Sequence, residues 1–160
     1  SVAVAATGNG TGTVIAELYD SSPNSTRTAE TRRLVNVSVL KHIGAGLTAG
    51  FNIAGTTAQS VLIRAIGPTI GAAPFNVEGA IADPQLTLFA SSGAVIGSND
   101  NWGGTAALTA AFSQVAAFAL PAASRDAAIV VTLEPGSYTV QVTGVGNTTG
   151  VAIVEVYEVR

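Results

Sequence analysis

Apolar side chains recur at every second position through most of this chain, which is the period of β-strands with one covered face. Val2 and Val4 alternate within 1–6, and Val14, Ala16 and Leu18 alternate against Ile15, Glu17 and Tyr19. Between the two runs, Thr7-Gly8-Asn9-Gly10-Thr11-Gly12 reads as a hairpin loop, because Gly and Asn accept positive φ at little cost. Residues 21–33 follow as a polar stretch with Pro23 and three arginines and no apolar period, and they read as a linker. Strand patterns resume at 34–40 and continue at 47–53, 60–66, 85–89, 94–96, 127–133, 138–143 and 151–157, with Gly- or Pro-containing turns between them. The run 105–118 departs from that period. It is rich in alanine, with Leu108, Phe112 and Val115 at three- and four-residue spacing, and predicts one short helix lying across an open end of the sheets. The expected fold is all-β: a β-sandwich or jelly roll with one short helix and an extra N-terminal hairpin. The expected division is a hairpin at 1–20, a linker at 21–33 and a sandwich at 34–160.

The two ends of the chain repeat each other. SVAVAATGNGTGTVIAELYD (1–20) aligns without gaps on TVQVTGVGNTTGVAIVEVYE (139–158), at the offset of 138 that separates Gly12 from Gly150. Identities include Val2/Val140, Val4/Val142, Gly8/Gly146, Asn9/Asn147, Ile15/Ile153, Glu17/Glu155 and Tyr19/Tyr157. Two similar hairpins in one pseudo-symmetric sandwich would produce this. So would a tandem array in which 1–20 is the closing hairpin of a preceding unit, or a hairpin that completes a neighbour's sheet. Agreement without a gap favours a repeat-related origin.

Composition narrows the classes of function. Charged residues make up 11% of the chain, against about 25% in an ordinary soluble domain. Apolar residues reach 48%, dominated by small and β-branched types, so much of the surface is neutral β-structure suited to packing on copies of itself. The net charge of −3 and the single lysine, Lys41, exclude a phosphate-binding face and hence nucleic acid. With no cysteine there is neither a disulfide framework nor a thiolate. Methionine is absent even from position 1, as in a processed or excised chain, and no apolar run is long enough to cross a membrane.

The motifs RLVNVSV (33–39), GFNIAG (50–55), VLIRAIGPTIG (61–71), DPQLTLF (83–89), SNDNWGG (98–104), DAAIVVTLEPGSYTVQVTG (126–144) and TTGVAIVEVYE (148–158) together resemble a repeat unit of large exported proteins of environmental bacteria. The second half is also similar to the jelly-roll domains appended to secreted bacterial peptidases. The resemblance implies export and a β-sandwich, and it carries over no catalytic residues.

Candidate chemistry is sparse. His42, the only histidine, stands at a strand end with no nucleophile or orienting carboxylate in any recognisable motif. The four Asp and six Glu are scattered, without a pair spaced for acid–base work. The Gly-rich stretches lie in hairpin loops and precede no helix, so they are not phosphate cradles. Asn99, Asp100 and Asn101 supply oxygens that can hold Ca²⁺, with Asp83 as a second carboxylate if the fold brings it near. The alternative for this run is an Asx-rich turn with Trp102 capping the core, and no cofactor. Arg64 interrupts the apolar strand 61–66 and reads either as an inter-subunit salt bridge or as an exposed arginine. Asn-x-Ser/Thr sequons occur at Asn9, Asn24, Asn36 and Asn147, and 25–31 can carry O-linked sugars.

Together these features lead to the expectation of a non-enzymatic structural protomer of an extracellular or cell-surface bacterial filament, sheath or array. Its partners are copies of itself, met through Val2, Val4, Val14, Ile15, Leu18, Tyr19 and Arg64. The alternative is a polysaccharide- or surface-binding module of a larger secreted protein, which would need exposed aromatics.

Overall fold

Alternation decides where the strands lie, and glycines and prolines decide where they stop. The computed structural model describes residues 2–5, 7, 8, 10, 12, 14–19 and 34–160. Residues up to Leu34 and residues from Val35 form separate units. In the second unit eight strands form: β1 (Asn36–Ile43), β2 (Leu47–Ile53), β3 (Gln59–Ile66), β4 (Pro84–Ala90), β5 (Val95–Asn99), β6 (Ala127–Leu133), β7 (Gly136–Gly144) and β8 (Gly150–Val159). A single helical turn, α1 (Pro68–Gly71), follows β3, and α2 (Ala106–Gln114) lies between β5 and β6. Each expected strand of this unit is present, displaced by no more than a few residues at its ends.

The strands make two antiparallel four-stranded sheets, ordered β1-β8-β3-β6 and β2-β7-β4-β5. Among sequential strands, only β4 and β5 are neighbours within one sheet; every other connection crosses between sheets. This is the jelly-roll form of the β-sandwich. The interior holds Val61, Ile63 and Ala65 of β3 and Ala152 and Val154 of β8, facing Leu86, Leu88, Val140 and Val142 of the opposite sheet. Each of the valine, leucine and isoleucine side chains contributes about 1.5–3 kcal/mol by leaving water.

The topology corrects one expectation. Residues 139–158 are not a hairpin, because β7 pairs with β2 and β4 while β8 pairs with β1 and β3. Both strands carry an apolar face that belongs in the same interior, so the chain crosses from one sheet to the other and forms an arch. A 3-10 turn at Val145–Asn147 makes the crossing, with Gly146 at φ 63 and Asn147 at φ 60.

The helix is also placed differently. The outward side chains of the β1-β8-β3-β6 sheet include Leu62 and Ile66, with Val151 and Ile153 on β8, and these need cover. α2 and its flanking segments supply it through Trp102, Phe112 and Leu120, so the helix lies on a sheet face rather than across an open end. Thr105 caps α2, its side-chain oxygen accepting from the Leu108 N–H at 3.4 Å.

In the first unit, none of the described residues is in a strand. Val2, Val4, Val14, Ile15, Leu18 and Tyr19 are all exposed. The linker at 21–33 lies outside the described residues.

Gly150 shows how tightly the arch is seated. The N–H of Val151 donates to Gly79 O at 2.8 Å, and the N–H of Ile81 donates to Val151 O at 2.9 Å. A Cβ on Gly150 would stand 2.7 Å from Gly79 O and 2.8 Å from Ile81 N. Gly150→Val is therefore expected to lower stability by about 2–3 kcal/mol, read as an earlier midpoint in urea unfolding.

Candidate functional site: the terminal arch and a buried arginine

Arg64 lies on the covered outward face of β3, and none of its surface reaches solvent. A charge in such a place is costly unless it is paired and its donors are satisfied. Glu155 lies directly opposite on β8. Arg64 Nε and Nη2 both donate to Glu155 Oε2, at 2.8 and 2.5 Å, and Nη1 donates to Phe118 O at 2.6 Å. The second carboxylate oxygen accepts from Tyr157 Oη at 3.0 Å and from Ser38 Oγ at 3.5 Å. The guanidinium carbon stands 4.4 Å from the ring centre of Phe118, 4.9 Å from that of Phe112 and 5.8 Å from that of Tyr157. Three π-faces and one carboxylate thus replace the water the cation has lost.

Both expectations for Arg64 are thereby corrected: it is buried, and the counter-ion it meets in this sandwich is Glu155 of its own chain rather than a residue of another subunit. A one-residue pattern shows that a charge interrupts an apolar strand. It does not show that the strand is covered on both faces.

A second buried carboxylate, Asp126, holds the covering segment in place. Its Oδ1 accepts from the Gly67 N–H at 2.8 Å and the Thr69 N–H at 3.4 Å, and its Oδ2 accepts from the Thr69 hydroxyl. Its main-chain carbonyl accepts from the Trp102 N–H at 2.9 Å. Trp102 Nε1 donates to Pro121 O at 3.0 Å and lies 3.2 Å from Ser124 Oγ. These bonds fix the chain from Trp102 to Asp126 and so hold Phe112 and Phe118 over Arg64. Sequence reasoning missed both Asp126 and Glu155. Glu155 was detectable as the one acidic residue identical in the two aligned copies.

The Asn99-Asp100-Asn101 run is a turn joined to the protein's own groups. Asn99 Nδ2 donates to Asn101 O at 2.9 Å, and Asn99 Oδ1 accepts from the Ala128 N–H at 3.0 Å. Asp83 pairs instead with Arg125 at 3.0 Å. Among the described residues, no three His, Cys, Asp or Glu side chains gather as a metal site. His42 is exposed opposite Val151. An open cleft of about 440 Å³ beside the arch is lined by Gly44, Gln85, Thr143, Asn147 and neighbours, without an ionisable side chain. Of the sequon residues, Asn36 has its amide nitrogen enclosed and Asn147 is exposed in the arch turn; Asn9 and Asn24 lie outside the described residues.

In the first unit, the arch sequence recurs together with its local geometry. Gly8 has φ 63, as Gly146 does. The Gly10 N–H donates to Thr7 O at 3.4 Å, at the positions where the Thr148 N–H donates to Val145 O at 3.3 Å. Tyr19 Oη donates to Glu17 Oε1 at 3.0 Å, the same contact and distance as Tyr157 to Glu155. Hydrogen bonding to the Glu17 carboxylate raises the pKa of the Tyr19 phenol.

No protein-family model matches the chain, and no curated protein matches it.

Two outcomes are expected of the cluster. Arg64→Met or Glu155→Leu alone leaves a buried charge without its partner and costs about 3–5 kcal/mol. The double substitution costs less than the sum of the two, which a double-mutant cycle in urea will reveal as a coupling energy. The second outcome concerns alkaline pH. Burial, reinforced by the adjacent Glu155 carboxylate, raises the Tyr157 pKa from the ordinary 10 to about 12. The folded state thus keeps the phenol protonated where the unfolded chain loses the proton. Stability from this group is complete below pH 10 and declines as pH rises through 12. Tyr157→Phe should flatten that decline in unfolding midpoints measured across this window.

Proposed function

We propose that this chain is a structural protomer or repeat unit of an extracellular bacterial filament, sheath or surface array, joined to copies of itself through β-strand and arch contacts. The observation that carries this reading is the apolar surface left in water at 2–19. Val2 and Ile15 are each 81% exposed and Tyr19 78%, next to Val4, Val14 and Leu18. Exposed apolar side chains in such a run mark a surface that meets another protein. The sandwich adds open strand edges at β1, β2, β5 and β6, with Leu40 of β1 and Val95 of β5 exposed. An edge strand blunted by a single lysine, as β1 is by Lys41, is little protected against pairing. The low charge of the chain and its resemblance to exported repeat units support the same reading. The polysaccharide reading has less support, because Trp102, Phe112 and Phe118 belong to the outer cluster and Phe51 stacks on Tyr138.

Electron microscopy of the purified chain is expected to show regular fibres with an axial repeat of one sandwich. Deletion of 1–20 should abolish them while circular dichroism still reports a folded β-sandwich. A full-length chain that stays folded and monomeric at high concentration would overturn the proposal.

A further inference from the structure

The first unit raises a chemical question of its own. Glu17 stands in an otherwise apolar run, and among the described residues its hydrogen-bond partner is Tyr19 alone. An acidic residue followed two positions later by tyrosine adds nothing to an adhesive apolar strand. In β8 the same pair has a definite task. Glu155 is the counter-ion of a fully buried arginine, and Tyr157 both donates to it and stacks on that arginine. Within the β8 part of the repeat, the retained side chains are the ones on the face that carries Arg64. Ile15, Glu17 and Tyr19 match Ile153, Glu155 and Tyr157, all on the face that meets the outer cluster. On the opposite face the residues vary but keep their volume. Val14 and Ala16 stand where β8 has Ala152 and Val154, so one valine and one alanine exchange places. The turn agrees as well, in the φ of Gly8 and in the Gly10 to Thr7 hydrogen bond.

We infer that residues 2–19 are a second β7–β8 arch, built to complete a second copy of this sandwich, with Glu17 as the buried counter-ion of the Arg64 of that copy. This inference deepens the assembly proposal by naming the position that the segment occupies and the residue that recognises it. In the acceptor sandwich, 14–19 takes the place of β8 between β1 and β3, and 2–5 takes the place of β7 between β2 and β4. Recognition then rests on one charge pair under an aromatic cover rather than on general apolar adhesion.

Two measurements on the full-length chain test this inference. In the first, residues 140–157 are replaced by the sequence of 2–19. Position 144 then carries Ala6 in place of glycine, and the carbonyl at position 148, where Gly10 replaces threonine, must shift to admit its Cβ. The grafted chain is expected to fold with a thermal midpoint within about 10 °C of the parent, a shift of the size that a few kcal/mol produces. In the second, Glu155→Leu strips the resident arch of its counter-ion. The thermal midpoint of this variant should then rise with protein concentration, as Glu17 of one copy reaches Arg64 of another. Adding Glu17→Leu should remove that dependence, although it makes the segment more apolar. The inference is overturned if the graft does not fold and the Glu155→Leu midpoint is independent of concentration. It is equally overturned if the concentration dependence survives Glu17→Leu, since simple adhesion then explains it. Parent chains that form no fibres, while the graft folds and Glu17 rescues, would remove the proposed function and leave this inference standing.

Discussion

The sandwich is organised around a cation it cannot expose. Arg64 sits on β3, a strand buried on both faces, and the elements packed over it and beside it on β8 carry what the guanidinium requires. β8 supplies the carboxylate and a phenol, and the segment after α2 supplies the Phe118 carbonyl and a ring. Asp126 ties that segment to the turn after β3. A hydrophobic residue in place of Arg64 would pack at least as well in energetic terms, since buried ion pairs rarely exceed the stability of an apolar substitute. The pair confers specificity instead. A β8-like strand without its glutamate leaves the arginine uncompensated, so only one register and one class of strand fits.

That constraint gives meaning to the duplicated arch. Hairpins and arches look alike along a sequence, because both are two alternating runs around a glycine-rich turn. They differ in what they can do. A hairpin satisfies much of its own backbone hydrogen bonding, whereas the two strands of an arch belong to different sheets and depend on other strands for all of it. A free arch is incomplete, and this accounts for an apolar, strand-patterned segment that carries no strand among its described residues.

Much of the fold was legible from local pattern. The limits of β2 and β6 match the alternating runs at 47–53 and 127–133, because the interior accepts every second side chain and polar or glycine residues end each run. The helix was legible for a similar reason, in the three- and four-residue spacing of Leu108, Phe112 and Val115. Gly150 and Gly12 were visible as paired positions. What the glycine is for, the close approach of Gly79 and Ile81 to the arch, was not.

Sequence alone determined the period of each strand, the one helix, the shortage of charge and the existence of a repeated pair of strand-patterned runs with a glutamate and a tyrosine at fixed places. All of these are local or are comparisons of one stretch with another. Only the tertiary structure decided that the repeated unit crosses between sheets, that Arg64 is covered, and that Glu155, 91 residues away along the chain, is its partner. Burial and ion pairing are set by which strands become neighbours, and in a jelly roll nearly every neighbour is distant in sequence. The charge on Arg64 could be read from one residue, but its counter-ion became apparent only once β8 lay between β1 and β3.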